Sequence, residues 1–240
     1  MQYQLYYWPS IQGRGEFVRL ALEEAGADYI DVARRSGRGM GIKALEKFLN
    51  DKMLATAPYA PPFLKAGRLI IGQTANILLY LGRRHGLAPR NEAGRIWVNQ
   101  LQLSVADFVT EIHDAHHPIA GSLYYHQQKP EARRRAKNFR TQRMPKFLGY
   151  FEQVLSGGKG RRYMAGDTFS YADLSMFQLV AGLRFAFPKA MKKREPDYPR
   201  LVDLHHRVAA RPNIAAYLAS KRRIPFNEFG IFRHYPELDG

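Results

Sequence analysis

Three histidines, His113, His116 and His117, fall at i, i+3 and i+4, a spacing that lets them share one helical face and present imidazoles to a common ligand. Such a face could hold a metal ion, but a metal also needs further ligands and a dry pocket. The chain has no cysteine and no HExxH pattern, so the residues predict no metal centre. The missing cysteine also excludes disulfide scaffolds and any mechanism built on the protein's own thiol. If thiol chemistry happens here, the ligand brings the sulfur. A second candidate lies at Gln73-Thr74, where Thr74 can cap a helix starting near Ala75 and the free N–H groups of its first turn can hold a carboxylate.

Charge points the same way. Lys and Arg number 37 against 21 Asp and Glu, a net +16 over 240 residues, which favours nucleic acid, anionic membranes or small anionic substrates alike. The basic runs at 133–135, 192–194 and 221–223 are scattered, without the aromatic interleaving or recognition-helix pattern of a nucleic-acid reader. They read as solvated charge that steers small anions, and no specific nucleic-acid partner is expected. No apolar stretch approaches the ~20 residues that cross a bilayer, and the N-terminus lacks a basic start followed by an apolar run. The expectation is a cytoplasmic protein with no membrane partner. With 45% apolar and 12% aromatic residues, the chain is too rich in core formers to be disordered.

The elements that must position these residues fall into two halves, and 240 residues at ~150 per domain allow two compact units. Residues 3–8 and 28–32 are short and rich in aromatic or β-branched residues, as strands are, and between them Phe17, Leu20, Ala21 and Glu24 recur at helical spacing before Gly26. An irregular segment follows. PFLKAGRLII then reads as a hairpin about Ala66-Gly67, and the next helix buries Ile77, Leu78 and Leu81 and stops at Gly86. After a polar connector at about 87–95, only helical patterns appear. Trp97, Leu101, Val105, Phe108 and Ile112 mark one long helix, and Phe147, Leu148, Phe151 and Val154 another that starts near Pro145. In FSYADL, Ser170 and Asp173 have the spacing of a capping box. Leu201, Val202, Leu204 and Val208, then Ile214, Tyr217 and Leu218, mark further helices before an irregular aromatic tail.

The order of these elements, with the strings YYWPSIQGRGEFVRLALEEAG, PPFL, GQTANILLYLG and FSYADL, resembles the cytosolic glutathione transferases over nearly the whole chain. The look is nearest to the tyrosine-type sigma, pi, alpha and mu groups, because Tyr7 ends the first strand and GRG follows shortly after. The resemblance implies a thioredoxin-like α/β domain (βαβαββα) over residues 1–86 that binds glutathione. It implies an all-α helical bundle over 95–240 that binds a small hydrophobic electrophile, and a homodimer. Glutathione is then a co-substrate and no cofactor is needed. The implied reaction is conjugation: the glutathione thiolate attacks the electrophile. The competing expectation is a weakly active or inactive carrier on the same fold.

The same resemblance assigns residues. Tyr7 donates its hydroxyl to the glutathione sulfur and favours the thiolate, with Ser10 the second candidate; Tyr6 points to the opposite face of the strand. Gln73, Thr74 and Arg14 take the γ-glutamyl end, and Asp107 reaches its amine from the neighbouring subunit. Pro62 matches a proline held cis, preceded by a residue that pairs with the cysteinyl backbone of glutathione. Here Pro61 stands in that place and has no N–H, so one hydrogen bond is lost, a penalty of roughly 0.5–1.5 kcal/mol in glutathione binding. Residues 34–58 lack the tryptophan usual in tyrosine-type classes; Lys52, or alternatively Lys47, is the candidate for the glycyl carboxylate. Ile11, His113 and His117 would line the electrophile pocket, where a histidine could donate to developing negative charge.

Overall fold

A computed structural model of the chain describes residues 1–158 and 161–240. Strand β1 (Tyr3–Tyr6) leads to helix α1 (Gly15–Glu24), β2 (Tyr29–Asp31), α2 (Ile42–Leu49), the hairpin β3 (Phe63–Ala66) and β4 (Leu69–Gly72), and α3 (Thr74–Arg84). The sheet runs β2-β1-β3-β4, with β1 parallel to β2 and antiparallel to β3. Alternation along β1 divides its side chains between two apolar layers. Tyr3 and Leu5 join Phe17, Leu20, Ile77 and Leu78, whereas Tyr6 faces Val32, Leu45 and Phe63, stacking on Phe63 with ring centroids 4.6 Å apart.

Three local details differ from the sequence reading. Thr74 is the first helical residue of α3, and Gln73 holds the cap position. The hairpin turns at Gly67-Arg68, with Gly67 at φ +64, where a side chain would be strained. The segment after β2, irregular by its residues alone, carries α2, as the family pattern implies.

The rest is helical: α4 (Glu92–Asp114), α5 (Lys129–Asn138), α6 (Met144–Ser156), α7 (Tyr171–Ala186), α8 (Pro188–Arg194), α9 (Pro199–Ala209), α10 (Pro212–Leu218) and a final turn α11 (Pro236–Asp239) within the tail. Asn91 starts α4 by accepting a hydrogen bond from the Gly94 N–H at 2.6 Å, inside the stretch read as a connector. A π-helical stretch, Phe139–Arg143, joins α5 to α6, and Pro145 sits where its missing N–H does no harm, in the first turn of α6. Among the described residues no helix is long and apolar enough to cross a membrane.

Helix α7 is the axis of this half, and its start shows why the sequence folds so locally. The capping box forms as the spacing demands. Asp173, fully buried, also accepts from the Ser170 N–H at 2.8 Å, the Ser170 hydroxyl at 2.9 Å and the Met164 N–H at 2.8 Å. One carboxylate therefore anchors both the helix and the chain before it. Asp173→Ala strands these donors in a dry interior and is expected to destabilise the fold by about 3 kcal/mol in urea unfolding, well beyond the ~1 kcal/mol of an exposed cap.

Candidate functional site

Tyr7 follows directly on β1 and is 5% exposed. Its hydroxyl oxygen accepts the backbone N–H of Arg14 at 2.8 Å. With a lone pair taken by that N–H, the phenolic proton is left free to be donated elsewhere. The glycines flanking Arg14 make this contact possible. A Cβ on Gly13, which sits at φ +46, would lie 2.0 Å from the Tyr7 hydroxyl, and one on Gly15 would lie 2.5 Å from its ring. Burial raises the Tyr7 pKa, opposed by the Arg14 N–H and the charges of Arg14 and Arg19.

The turn carrying Arg14 is pinned by polar groups that the sequence reading missed. Gln12 donates to the Ile224 carbonyl at 2.5 Å and accepts from Gln178 at 2.7 Å; Gln178 in turn accepts from Arg223 at 3.0 Å. Arg223 also donates to Glu16 at 2.6 Å, and Glu16 takes Tyr217 at 2.8 Å and Arg19 at 3.2 Å. Arg19 completes the chain with Asp31 at 2.7 Å and reaches the Ile11 and Gln12 carbonyls at 3.4 Å. Glu16 and Arg19 are fully buried although they lie on a helix read as simply amphipathic. Two charged residues three apart, beside Phe17 and Leu20 on the packed side of α1, are the signal that could have exposed them.

Around this turn the structure gathers some of the expected residues and leaves others apart. The register pairs Tyr6 with Phe63, so the next step sets Pro62 across from Tyr7, and the Pro61-Pro62 bond is cis. The Thr74 hydroxyl donates to the Arg14 carbonyl at 3.4 Å, tying the front of α3 to the same turn. Arg14 and Thr74 share a small cavity with Gln102, Val105 and Val109 of α4. Gln73, exposed, is the non-glycine residue with positive φ among the described residues, at +67. Such a conformation costs of order 1–3 kcal/mol and marks sites where geometry matters more than stability. Ser10 is exposed and its carbonyl takes the Asn227 amide at 2.8 Å; Ile11 is half-buried. Asp107 is exposed on α4. Lys47, in the last turn of α2, and Lys52 beyond it are both exposed, and neither contacts this turn through a hydrogen bond or ion pair among the described residues.

The histidines behave unlike a metal face. His116 is buried, with Nε2 2.7 Å from the Ile231 carbonyl and Nδ1 2.5 Å from Nδ1 of His117. His113, half-buried at the end of α4, lies 5.1 and 5.3 Å from these rings, centroid to centroid. No group of three or more His, Asp or Glu among the described residues could hold a metal ion. A carbonyl only accepts, so His116 carries its proton on Nε2 and leaves Nδ1 as an acceptor. His117 must then donate through Nδ1, which leaves its Nε2 bare. The expected donor toward negative charge is therefore an acceptor at His117.

The basic runs are also corrected. Residues 133–135 lie within α5, where Arg135 pairs with Glu111 at 3.1 Å, and 192–194 end α8. In the third run Arg222 pairs with Glu23 at 2.8 Å and Arg223 with buried Glu16. That run ties the end of the chain to α1: Arg223 is largely covered, whereas Lys221 and Arg222 stay at the surface.

Comparison with known proteins bears on this geometry. Residues 113–221 match the family model described as "Glutathione S-transferase, C-terminal domain". The chain is 25% identical over 212 residues to a glutathione S-transferase of Plasmodium yoelii yoelii, covering 88% of this chain and 90% of that one. It is 28% identical over 226 residues to glutathione S-transferase Mu 6 of Mus musculus, with 94% of each chain covered. The chain is thus similar over nearly its whole length to cytosolic glutathione transferases, among them a mu-class one. The solved pi-class glutathione S-transferase of Onchocerca volvulus superposes on this chain with a TM-score of 0.71 at 23% identity, covering 95% of this chain and 99% of that one. The prostaglandin synthase D of Nilaparvata lugens, at 21% identity, gives the same TM-score over 94% of this chain and the whole of that one. The shared fold is a thioredoxin-like sheet unit followed by an all-helical one.

Two predictions follow from the site's electrostatics. Arg223→Ala leaves Glu16 buried with one partner fewer and is expected to cost about 3 kcal/mol, whereas Arg222→Ala, at the surface, is expected to cost under ~1 kcal/mol; urea midpoints compare them. Burial, then Arg233 and His113, push His117 from 6.5 down to about 4. The unfolded chain takes up this proton below 6.5 and the folded one does not. Stability from this group is thus complete above 6.5 and is lost as pH falls toward 4, by up to ~1.4 kcal/mol per pH unit. His117→Gln is expected to flatten that slope relative to the unsubstituted protein.

Proposed function

We propose that this protein is a glutathione transferase that binds glutathione beside the turn at residues 11–14 and conjugates it to a small hydrophobic electrophile. The carrying observation is the Arg14 N–H on the Tyr7 oxygen, which turns the phenolic proton into a fixed donor for the glutathione sulfur. A hydrogen bond to the charged form lowers the thiol's pKa, and the thiolate is the nucleophile. The new C–S bond forms as the electrophile accepts the electron pair, on its leaving group or on a neighbouring acceptor atom.

The γ-glutamyl carboxylate suits the front of α3 at Gln73 and Thr74, where N–H groups are free and Arg14 lies beside them. Asp107 shares one stripe of α4 with Ile96 and Leu103, which are 62% and 52% exposed. An apolar stripe with a carboxylate in it fits a homodimer in which Asp107 reaches the partner's glutathione amine. Lys52, with Lys47 as alternative, would take the glycyl carboxylate. Ile11, His113 and His117 would line the electrophile pocket, with glutathione held by residues 1–86 and the electrophile by 95–240. Cytoplasmic detoxification is the role that suits such chemistry. Pro61, which offers glutathione a carbonyl but no N–H, favours the second reading of a weakly active carrier.

Conjugation of a chlorinated nitroaromatic separates the two. For the enzyme, Tyr7→Phe lowers kcat/KM about 100-fold, Ser10→Ala stays within about twofold, and Asp107→Asn raises KM for glutathione while sparing kcat. A carrier shows low turnover that Tyr7→Phe leaves unchanged.

A further inference from the structure

Beyond the end of α4 a cavity of about 720 Å³ opens between residues 117–129 and the tail. His117, Tyr124, Tyr125, Phe229, Arg233 and Tyr235 line it. None of Tyr7, Arg14, Gln73 or Thr74 does. Its walls are aromatic: Tyr125 and Tyr235 stack at 3.7 Å between centroids, nearly parallel, while Tyr124 and Phe229 are 71% and 75% exposed at its mouth. Flat aromatic surfaces of this kind favour a planar ligand.

Several polar groups of the cavity keep unused capacity, among them the second carboxylate oxygen of Glu228, and two of them complement a neutral hydroxylated ring. The Ile231 carbonyl fixes His116 as the Nε2–H tautomer, His116 fixes His117 as the Nδ1–H tautomer, and Nε2 of His117 keeps a lone pair with no partner among the described residues. Arg233 spends its Nε and one terminal nitrogen on the Gly230 and Phe229 carbonyls, at 2.8 and 3.2 Å, and meets no carboxylate among the described residues. By contrast, the Tyr125 hydroxyl is already donated to Glu237 at 2.9 Å, and Lys129 lies 3.8 Å from the same carboxylate. The cavity thus offers a bare neutral acceptor at His117 and a cationic donor at Arg233 between aromatic faces, with Glu228 as a further acceptor whose competition the His117 variants below resolve.

We propose that this cavity is a binding site for hydroxylated aromatic compounds, in which the ligand's O–H donates to Nε2 of His117 and an electron-rich substituent meets the Arg233 guanidinium. A ligand that can only accept, such as the methyl ether of the same compound, leaves the His117 lone pair unpaired and binds less well. This selectivity is set by the carbonyl of Ile231, two hydrogen bonds away. The site needs no glutathione and is lined by none of the residues assigned to it, so the proposal goes beyond the transferase reading and does not rest on it.

The test is a glutathione-free titration of the full chain with 4-nitrophenol and with 4-nitroanisole, in mildly acidic buffer where the phenol keeps its proton and His117, pushed down to about 4, keeps its lone pair. The phenol is expected to bind about tenfold tighter than the ether. His117→Phe removes that preference and keeps the ether's affinity; His117→Gln, whose amide oxygen can accept, keeps part of it. Tyr7→Phe leaves it intact, so a failure of the thiolate mechanism does not touch this result. Nitrogen-15 spectra of the histidine rings should show a protonated Nδ1 and a bare Nε2 at His117. A preference unchanged in His117→Phe, a preference lost in Tyr7→Phe, or the opposite tautomer at His117 would each overturn the proposal.

Discussion

Everything near the reactive end of this protein depends on where the chain turns between β1 and α1. The turn must bring the Arg14 N–H to 2.8 Å from the Tyr7 hydroxyl, and only glycine leaves room for that ring at positions 13 and 15. Glycines make a turn loose, so something else must hold it. The holding is done by a buried chain of two acids and two arginines, Asp31, Arg19, Glu16 and Arg223, extended by Gln178 and Gln12 to the turn itself. Its formal charges cancel. A neutral network of this kind, in which Arg19 Nη2 and Asp31 Oδ1 have no partner among the described residues, adds little net stability over an apolar core, but breaking one member strands the others, so it specifies geometry.

That network also joins the two halves of the molecule. Arg223 and Tyr217 come from the end of the helical half, while Glu16, Arg19 and Asp31 belong to the sheet half. The tail strengthens the link, through the Ile224 carbonyl on Gln12 and Asn227 on the Ser10 carbonyl. The position of Tyr7 therefore depends on residues more than two hundred positions away along the chain. Much of the positive charge is occupied in the same manner: Arg135 and Arg143 clasp Glu111, Arg184 holds Glu195 and Arg211 holds Glu24. The field of the remaining excess still favours an anionic tripeptide.

The sequence showed best what short-range physics decides. The capping box at Ser170 and Asp173, the long apolar face of α4 and the split of Tyr6 from its neighbours across β1 rest on spacings of one to four residues. The resemblance added α2, whose short helix has few periodic positions of its own to announce it. What stayed hidden was whatever depends on distant partners. Arg223 looked like one basic residue in a run because Glu16 lies 207 positions away. The polarity of His117 was unreadable because it is set by a backbone carbonyl 115 residues from His116. Thr74 looked like a cap because the positive φ of Gln73, which moves the cap back by one residue, has no signature in a glutamine.

In the proposed reaction Tyr7, oriented by the Arg14 N–H, stabilises a glutathione thiolate. The most direct measurement is the ultraviolet thiolate band of the glutathione complex followed against pH, in the unsubstituted protein and in Tyr7→Phe, with binding confirmed by calorimetry in both. The expected result is a bound thiol titrating well below free glutathione, and a return to near the free value when the hydroxyl is removed. A thiol that titrates as in free solution with Tyr7 present, or one equally depressed in Tyr7→Phe, would contradict it.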